Sequence, residues 1–151
     1  MSELKGQAAL DFLMTYGWAI LLIIIIIGAL FALGIFDINT LMGSRAVGFT
    51  QIGVAAWRVD GSGVLTAQFT NHVGTDVRID SVKWTYRGTD TINSSVATSI
   101  ANGATTSTLT LGAVPGITTG TSYSMAMVIS YVDLSTNFTY SSGGTLTGKS
   151  G

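Results

Sequence analysis

Apolar positions along this chain fall into two regimes. From Phe12 to Phe36 the sequence FLMTYGWAILLIIIIIGALFALGIF contains no charged residue and nothing more polar than Thr15 and Tyr16. Ile and Leu occupy every side of a helix drawn through it, above all over Leu21 to Ile27, so the polar stripe of a soluble surface helix is missing. Its roughly 25 residues make a helix of about 37 Å, enough to cross a hydrocarbon core of about 30 Å with some tilt. A transmembrane-type helix is expected. Asp11 and Asp37 bracket it, and Tyr16 and Trp18 lie near its start, where amphipathic rings favour an interface. Gly17, Gly28 and Gly34 each cost up to about 1 kcal/mol of helix propensity relative to Ala, which marks places of close packing or local unwinding.

Beyond a hinge at 38–44, where Gly43 and Ser44 suit a turn, the apolar period changes from continuous to two. Tyr123, Met125, Met127, Ile129 and Tyr131 share one face of an expected central strand of about ten residues, with Ser124, Ala126, Val128 and Ser130 on the other. Leu65, Ala67 and Phe69 form a second strand, and Asp60-Gly61-Ser62-Gly63 turns the chain back onto Val54 to Val59. Val77 and Ile79 are out of phase with Val82, Trp84 and Tyr86, so a bulge is expected near Asp80-Ser81. Leu109 with Leu111, Phe138 with Tyr140, and Leu146 supply later strands, with Ser141-Ser142-Gly143-Gly144 turning the last hairpin. About seven strands between Gly-rich turns predict an α+β chain: one long apolar helix, then an all-β antiparallel, immunoglobulin-like sandwich over 45–151. Trp57, Trp84, Tyr123 and Tyr131 are its expected large core members.

Composition sharpens this division. The chain has 151 residues, of which 47% are hydrophobic and 10% charged, and its mean hydropathy is +0.50. Ordinary soluble domains carry roughly 25% charged residues. Seven basic and eight acidic residues give a net charge of −1, which supplies no field for gathering phosphates, so nucleic acid is not an expected partner. With no cysteine there is no disulfide, thiolate metal site or thiol nucleophile. The 36 Ser and Thr residues, interleaved with aromatic and β-branched residues, fit a folded and solvated β-domain.

A secretory signal peptide has an apolar core of about 7 to 15 residues followed by a small-x-small cleavage site. This block is too long, and Asp37-Ile38-Asn39-Thr40 is a poor site of that kind. The residues in front of the block are more informative. MSELKGQ places Lys5-Gly6 immediately before Gln7, and AALDFLMTYGWAI follows. This resembles the archaeal type IV pilins with a class III signal peptide, whose motif starts with Gln, has a small hydroxyl residue two positions on, an acid at the fifth position and then Phe-Leu. Gln7, Asp11, Phe12 and Leu13 match it, with Ala9 standing for the hydroxyl residue and Asp11 for the usual Glu. Tyr16 to Ile20 is also typical of the family.

The resemblance covers about the first quarter of the chain. It implies a leader, 1–6, removed by a membrane prepilin peptidase between Gly6 and Gln7, with Lys5, Gly6 and Gln7 as the processing residues. It implies an assembly helix over 7–37, in which Gln7, Asp11, Phe12 and Leu13 act in polymerisation. The partners it implies are identical subunits, the peptidase and the assembly machinery, with the membrane as host before assembly and the cell surface afterwards. Adhesion is the role it suggests. A carboxylate at the edge of an apolar helix costs several kcal/mol to desolvate unless paired. The freed amino group of Gln7 on a neighbouring subunit is the cation the resemblance implies, while attraction to the helix macrodipole, about 0.3 to 1 kcal/mol, is the local explanation. A membrane-anchored sandwich that never polymerises, a minor pilin-like subunit and an archaellin-like subunit are the alternatives.

Chemistry-bearing constellations are sparse. His72 lies in Thr70-Asn71-His72-Val73-Gly74, which reads as a turn with no second histidine. Asp76 and Asp80 are four apart on an expected strand, hence on one face, and a solvated face accounts for them without calcium. No nucleophile–base pair or phosphate-cradling glycine motif occurs, so neither enzyme activity, a metal nor a cofactor is expected. Two glycosylation sequons, Asn93-Ser94-Ser95 and Asn137-Phe138-Thr139, would be usable if the head is exported.

Overall fold

The computed structural model describes residues 2–33 and 43–151, with side chains from residue 6 onward in the helix. It divides into two units, the helix and the head. Helix α1 runs Ser2–Ala32 and closes with Leu33 N–H donating to the Ala29 carbonyl at 2.9 Å. Its stretch Gly6–Ala32, 27 residues, is long and apolar enough to cross a membrane. The expected end of the helix at residue 37, Gly34, and residues 38–42 of the hinge lie outside the described residues.

The head holds nine strands in two antiparallel sheets. Strands β1 (Arg45–Val47), β9 (Thr139–Lys149), β8 (Ser122–Asp133), β4 (Val77–Tyr86) and β5 (Thr89–Asn93) lie side by side in that order. A short β6 (Thr98–Ile100) pairs with the first part of β4, end to end with β5. The second sheet is β2 (Ile52–Val59), β3 (Val64–Asn71) and β7 (Leu109–Ala113). The chain is therefore α+β with a sandwich head, as its periodicity predicts.

The alternation on β8 decides the core. Tyr123, Met125, Met127, Ile129 and Tyr131 are all buried, while Ser124, Ala126 and Val128 face outward. Leu65, Ala67 and Phe69 of β3 and Ile52 and Val59 of β2 belong to the same core. On β4 the phase conflict is resolved by a register shift between Ile79 and Ser81 against β8. One extra residue, Asp80, lets Val77 and Ile79 on one side and Val82, Trp84 and Tyr86 on the other all point inward. Trp84, Tyr123 and Tyr131 are buried, whereas Trp57 is half-buried and packs against the core from β2.

The end of the chain differs from the expectation. Ser141 to Gly144 make no hairpin; they run straight through β9, which pairs with β8 from Val132↔Thr139 to Ser122↔Lys149. The reversal lies at residues 134–138, and Phe138 and Tyr140 are exposed. The glycine at 144 serves a close approach: a Cβ there would stand 2.6 Å from the Phe49 ring. Beside it, the Ser142 hydroxyl donates to the Ile52 carbonyl at 3.1 Å. Strands β1, β5 and β6 are additions to the expected set. The β4–β5 turn is made by Arg87 and Gly88, both with positive φ, a reversal in which Arg87 gives no turn signal by residue type.

Candidate functional site: the apolar helix and the sequons

On α1 the large apolar side chains from Leu10 to Phe31 are between 44% and 79% exposed, apart from the half-buried Leu30. A helix apolar on all sides needs apolar surroundings on all sides. Gly6, Gly17 and Gly28, spaced by eleven residues, fall on nearly one face at about 100° per residue, and each has open space where a Cβ would be. Phe12 and Tyr16, one turn apart, have ring centroids 4.8 Å apart.

The motif residues sit at the leading end of α1. The Gly6–Gln7 peptide lies within helical backbone, and Lys5 lies one residue before it. Gln7 and Asp11 are four apart and so on one face. Both are exposed, as are Phe12 and Leu13. Among the described residues no hydrogen bond or ion pair to Asp11 occurs.

In the head, acids and amides build loops. Four times an Asp or Asn accepts, through Oδ1, the backbone N–H two residues ahead: Asp60 from Ser62, Asn71 from Val73, Asn93 from Ser95 and Asp133 from Ser135, at 2.8 to 2.9 Å. The Asp60 carboxylate also accepts from Val64 N–H, and that bond above all, with the Ser62 hydroxyl, holds its pKa below the ordinary value. The Ser135 hydroxyl at 2.6 Å, then its N–H, lowers that of Asp133. Asn71 is fully buried, and its Nδ2 donates to the Thr75 and Ile100 carbonyls at 2.7 and 3.1 Å. These roles escaped the sequence reading, although the Asx-x-Ser spacing at three of them is a legible signal.

The two sequons differ. Asn93 closes β5 and is half-buried, and its Nδ2 donates at 2.8 Å to the Leu111 carbonyl of β7, which ties the two sheets together. Asn137 stands exposed at φ +62° in the β8–β9 turn. Asp76, Arg78 and Asp80 all lie outside the core, alternating with the buried Val77 and Ile79. Asp76 precedes β4 and accepts from Asn102 N–H at 2.9 Å, while Asp80 is the bulge residue, paired to Arg78 at 2.7 Å. His72 is exposed beyond the end of β3, and its backbone N–H donates to the Gln51 carbonyl. Among the described residues no group of three His, Cys, Asp or Glu could hold a metal.

A shallow depression of about 270 Å³ on β2 and β3 is lined by Ala56, Trp57, Arg58, Thr66, Gln68 and Thr108. Gln68 Nε2 donates to Thr108 Oγ1 at 2.9 Å and the Thr66 hydroxyl to the Arg58 carbonyl at 3.3 Å. It contains no paired acid and base. No protein-family model matches the chain, and no curated protein does so.

Proposed function

We propose that this chain is a structural subunit of an archaeal type IV, adhesion-type pilus, held in the membrane by its apolar helix and then polymerised through that helix into an extracellular filament. The observation that carries the reading is α1 itself: a 27-residue stretch apolar enough to cross a membrane, with most of its large apolar side chains exposed, in a chain whose head has a core of its own. Lipid or copies of the same helix satisfy such a surface equally well by composition. What favours copies is the motif in front of it, Gly6-Gln7 followed by Asp11-Phe12-Leu13, which resembles a prepilin processing and assembly segment.

On this reading a prepilin peptidase cuts between Gly6 and Gln7, removes 1–6 and leaves a charged amino group one helical turn from Asp11. Leaving lipid is tolerable because neighbouring helices replace its apolar contacts, and the burial accumulates over many subunits. The amino group of one subunit then pairs with Asp11 of the next, which sets the axial register because an unpaired carboxylate in an apolar bundle costs several kcal/mol. Ser, Thr and Gly give the outward-facing heads their polarity in place of ions. Mass spectrometry of the native amino terminus, followed by electron microscopy of sheared surface material, tests this. A chain starting at Gln7 and present in filaments is expected. A chain starting at Met1 and confined to membranes would overturn it in favour of an anchored sandwich.

A further inference from the structure

The two sequons share a sequence rule but not a setting. On Asn93 the Nδ2 atom, where an N-linked sugar would attach, already donates to the Leu111 carbonyl at 2.8 Å, and the residue is half-buried between the sheet edges. A sugar there would have to displace the tie between β5 and β7. On Asn137 no side-chain hydrogen bond occurs among the described residues. Its backbone N–H donates to the Asp133 carbonyl at 2.7 Å, which fixes the turn while the side chain stays in solvent. Thr139, the hydroxyl partner of the sequon, is exposed at the first position of β9.

The surroundings of Asn137 point the same way. Leu134, Phe138 and Tyr140 are 46%, 65% and 42% exposed, which gathers three large apolar side chains on one hairpin end of a head otherwise surfaced by Ser and Thr. The remaining large apolar residues exposed on the head, Val47, Ile92 and Val128, sit on three different strands. Phe138 is the middle residue of the sequon, so a sugar on Asn137 starts beside an aromatic ring whose face can stack on the apolar side of a pyranose.

Resting on the export reading above, we infer that Asn137 is the glycan-bearing position of this chain, that Asn93 stays bare as an inter-sheet tie, and that the sugar covers the apolar tip of Leu134, Phe138 and Tyr140. The donor class is a glycosyl group activated on a lipid-linked phosphate. The Asn137 Nδ2–C1 bond forms, the C1–O bond to phosphate breaks, and the amide proton passes to the transferase base, with no change of oxidation state.

Glycopeptide mass spectrometry on the full chain purified from its native cells tests this. One glycan, on Asn137, is expected, with Asn93 recovered unmodified. Asn137→Gly, which keeps the positive-φ turn, and Thr139→Ala, which leaves the acceptor in place, should each remove the mass completely. Asn137→Gly should also raise binding of an apolar-surface dye to the full chain, and adding Phe138→Ser should reverse that rise. A sugar on Asn93, or a bare Asn137 in surface filaments, would overturn the inference while leaving the filament reading intact. A glycosylated Asn137 in a chain that never polymerises would do the reverse.

Discussion

The apolar residues of α1 and those of β8 solve the same problem in opposite ways. On β8 every second side chain from Tyr123 to Tyr131 is apolar and finds its partners within the chain, on β2, β3, β4 and β9. On α1 the apolar run has no alternation, and its large side chains, Leu30 apart, remain exposed. The head buries most of its hydrophobicity in its own core, whereas on the proposed reading the helix covers its own with lipid or other copies. Fold stability and assembly should therefore be separable properties, each sensitive to a different set of residues.

The strongest way to break this division is to remove residues 1–42. The remaining head should stay soluble and unfold cooperatively, while membrane and filament association disappear; aggregation of that fragment would mean that the helix contributes to the head's core. Asp11→Ala should abolish filaments, seen by electron microscopy, with the head's thermal transition unmoved. Normal filaments in that variant would exclude the register role of Asp11. Conversely, Trp84→Ala should cost the head about 3–5 kcal/mol in denaturant unfolding, because it empties the centre of the sandwich, where a Cβ on Gly112 would stand 3.3 Å from the indole.

Smaller effects sharpen the same contrast within the head. Asp60 and Asp133 have folded pKa values below the ordinary 3.8, so their contribution is complete above that value and is lost as pH falls through the depressed folded value. Acid titration followed by circular dichroism should show stability falling below about pH 4, and Asp60→Asn with Asp133→Asn should flatten that slope. Replacing Lys83, whose ion pair with Asp90 is exposed, should change stability by no more than about 0.5 kcal/mol. A larger loss would show that this pair anchors β5.

Much of the head was legible because its signals are local. Period two named the inward rows of β3, β4 and β8, and the parity clash between Ile79 and Val82 located the bulge to within one residue. The reading failed where a residue's role depends on distant chain. Ser141-Ser142-Gly143-Gly144 has turn composition, yet Phe49 and Val47 press against Gly144 and the segment continues as strand. Asn93 and Asn137 match the same motif, and nothing nearby in sequence separates them.

The division into a helix with a charge-free apolar block and a β-rich head, the phase of the main strands and the candidate processing segment all follow from residue order, because periodicity and charge exclusion act over a few neighbouring residues. Which glycines are turns and which are sites of close approach, and which asparagine is a tie and which is free, are set by strands that meet across gaps of up to about a hundred residues. Leu111 reaches Asn93 only after the two sheets have packed, and Phe49 reaches Gly144 once β1 pairs with β9. Contact across such separations depends on the assembled core, and no local pattern encodes it.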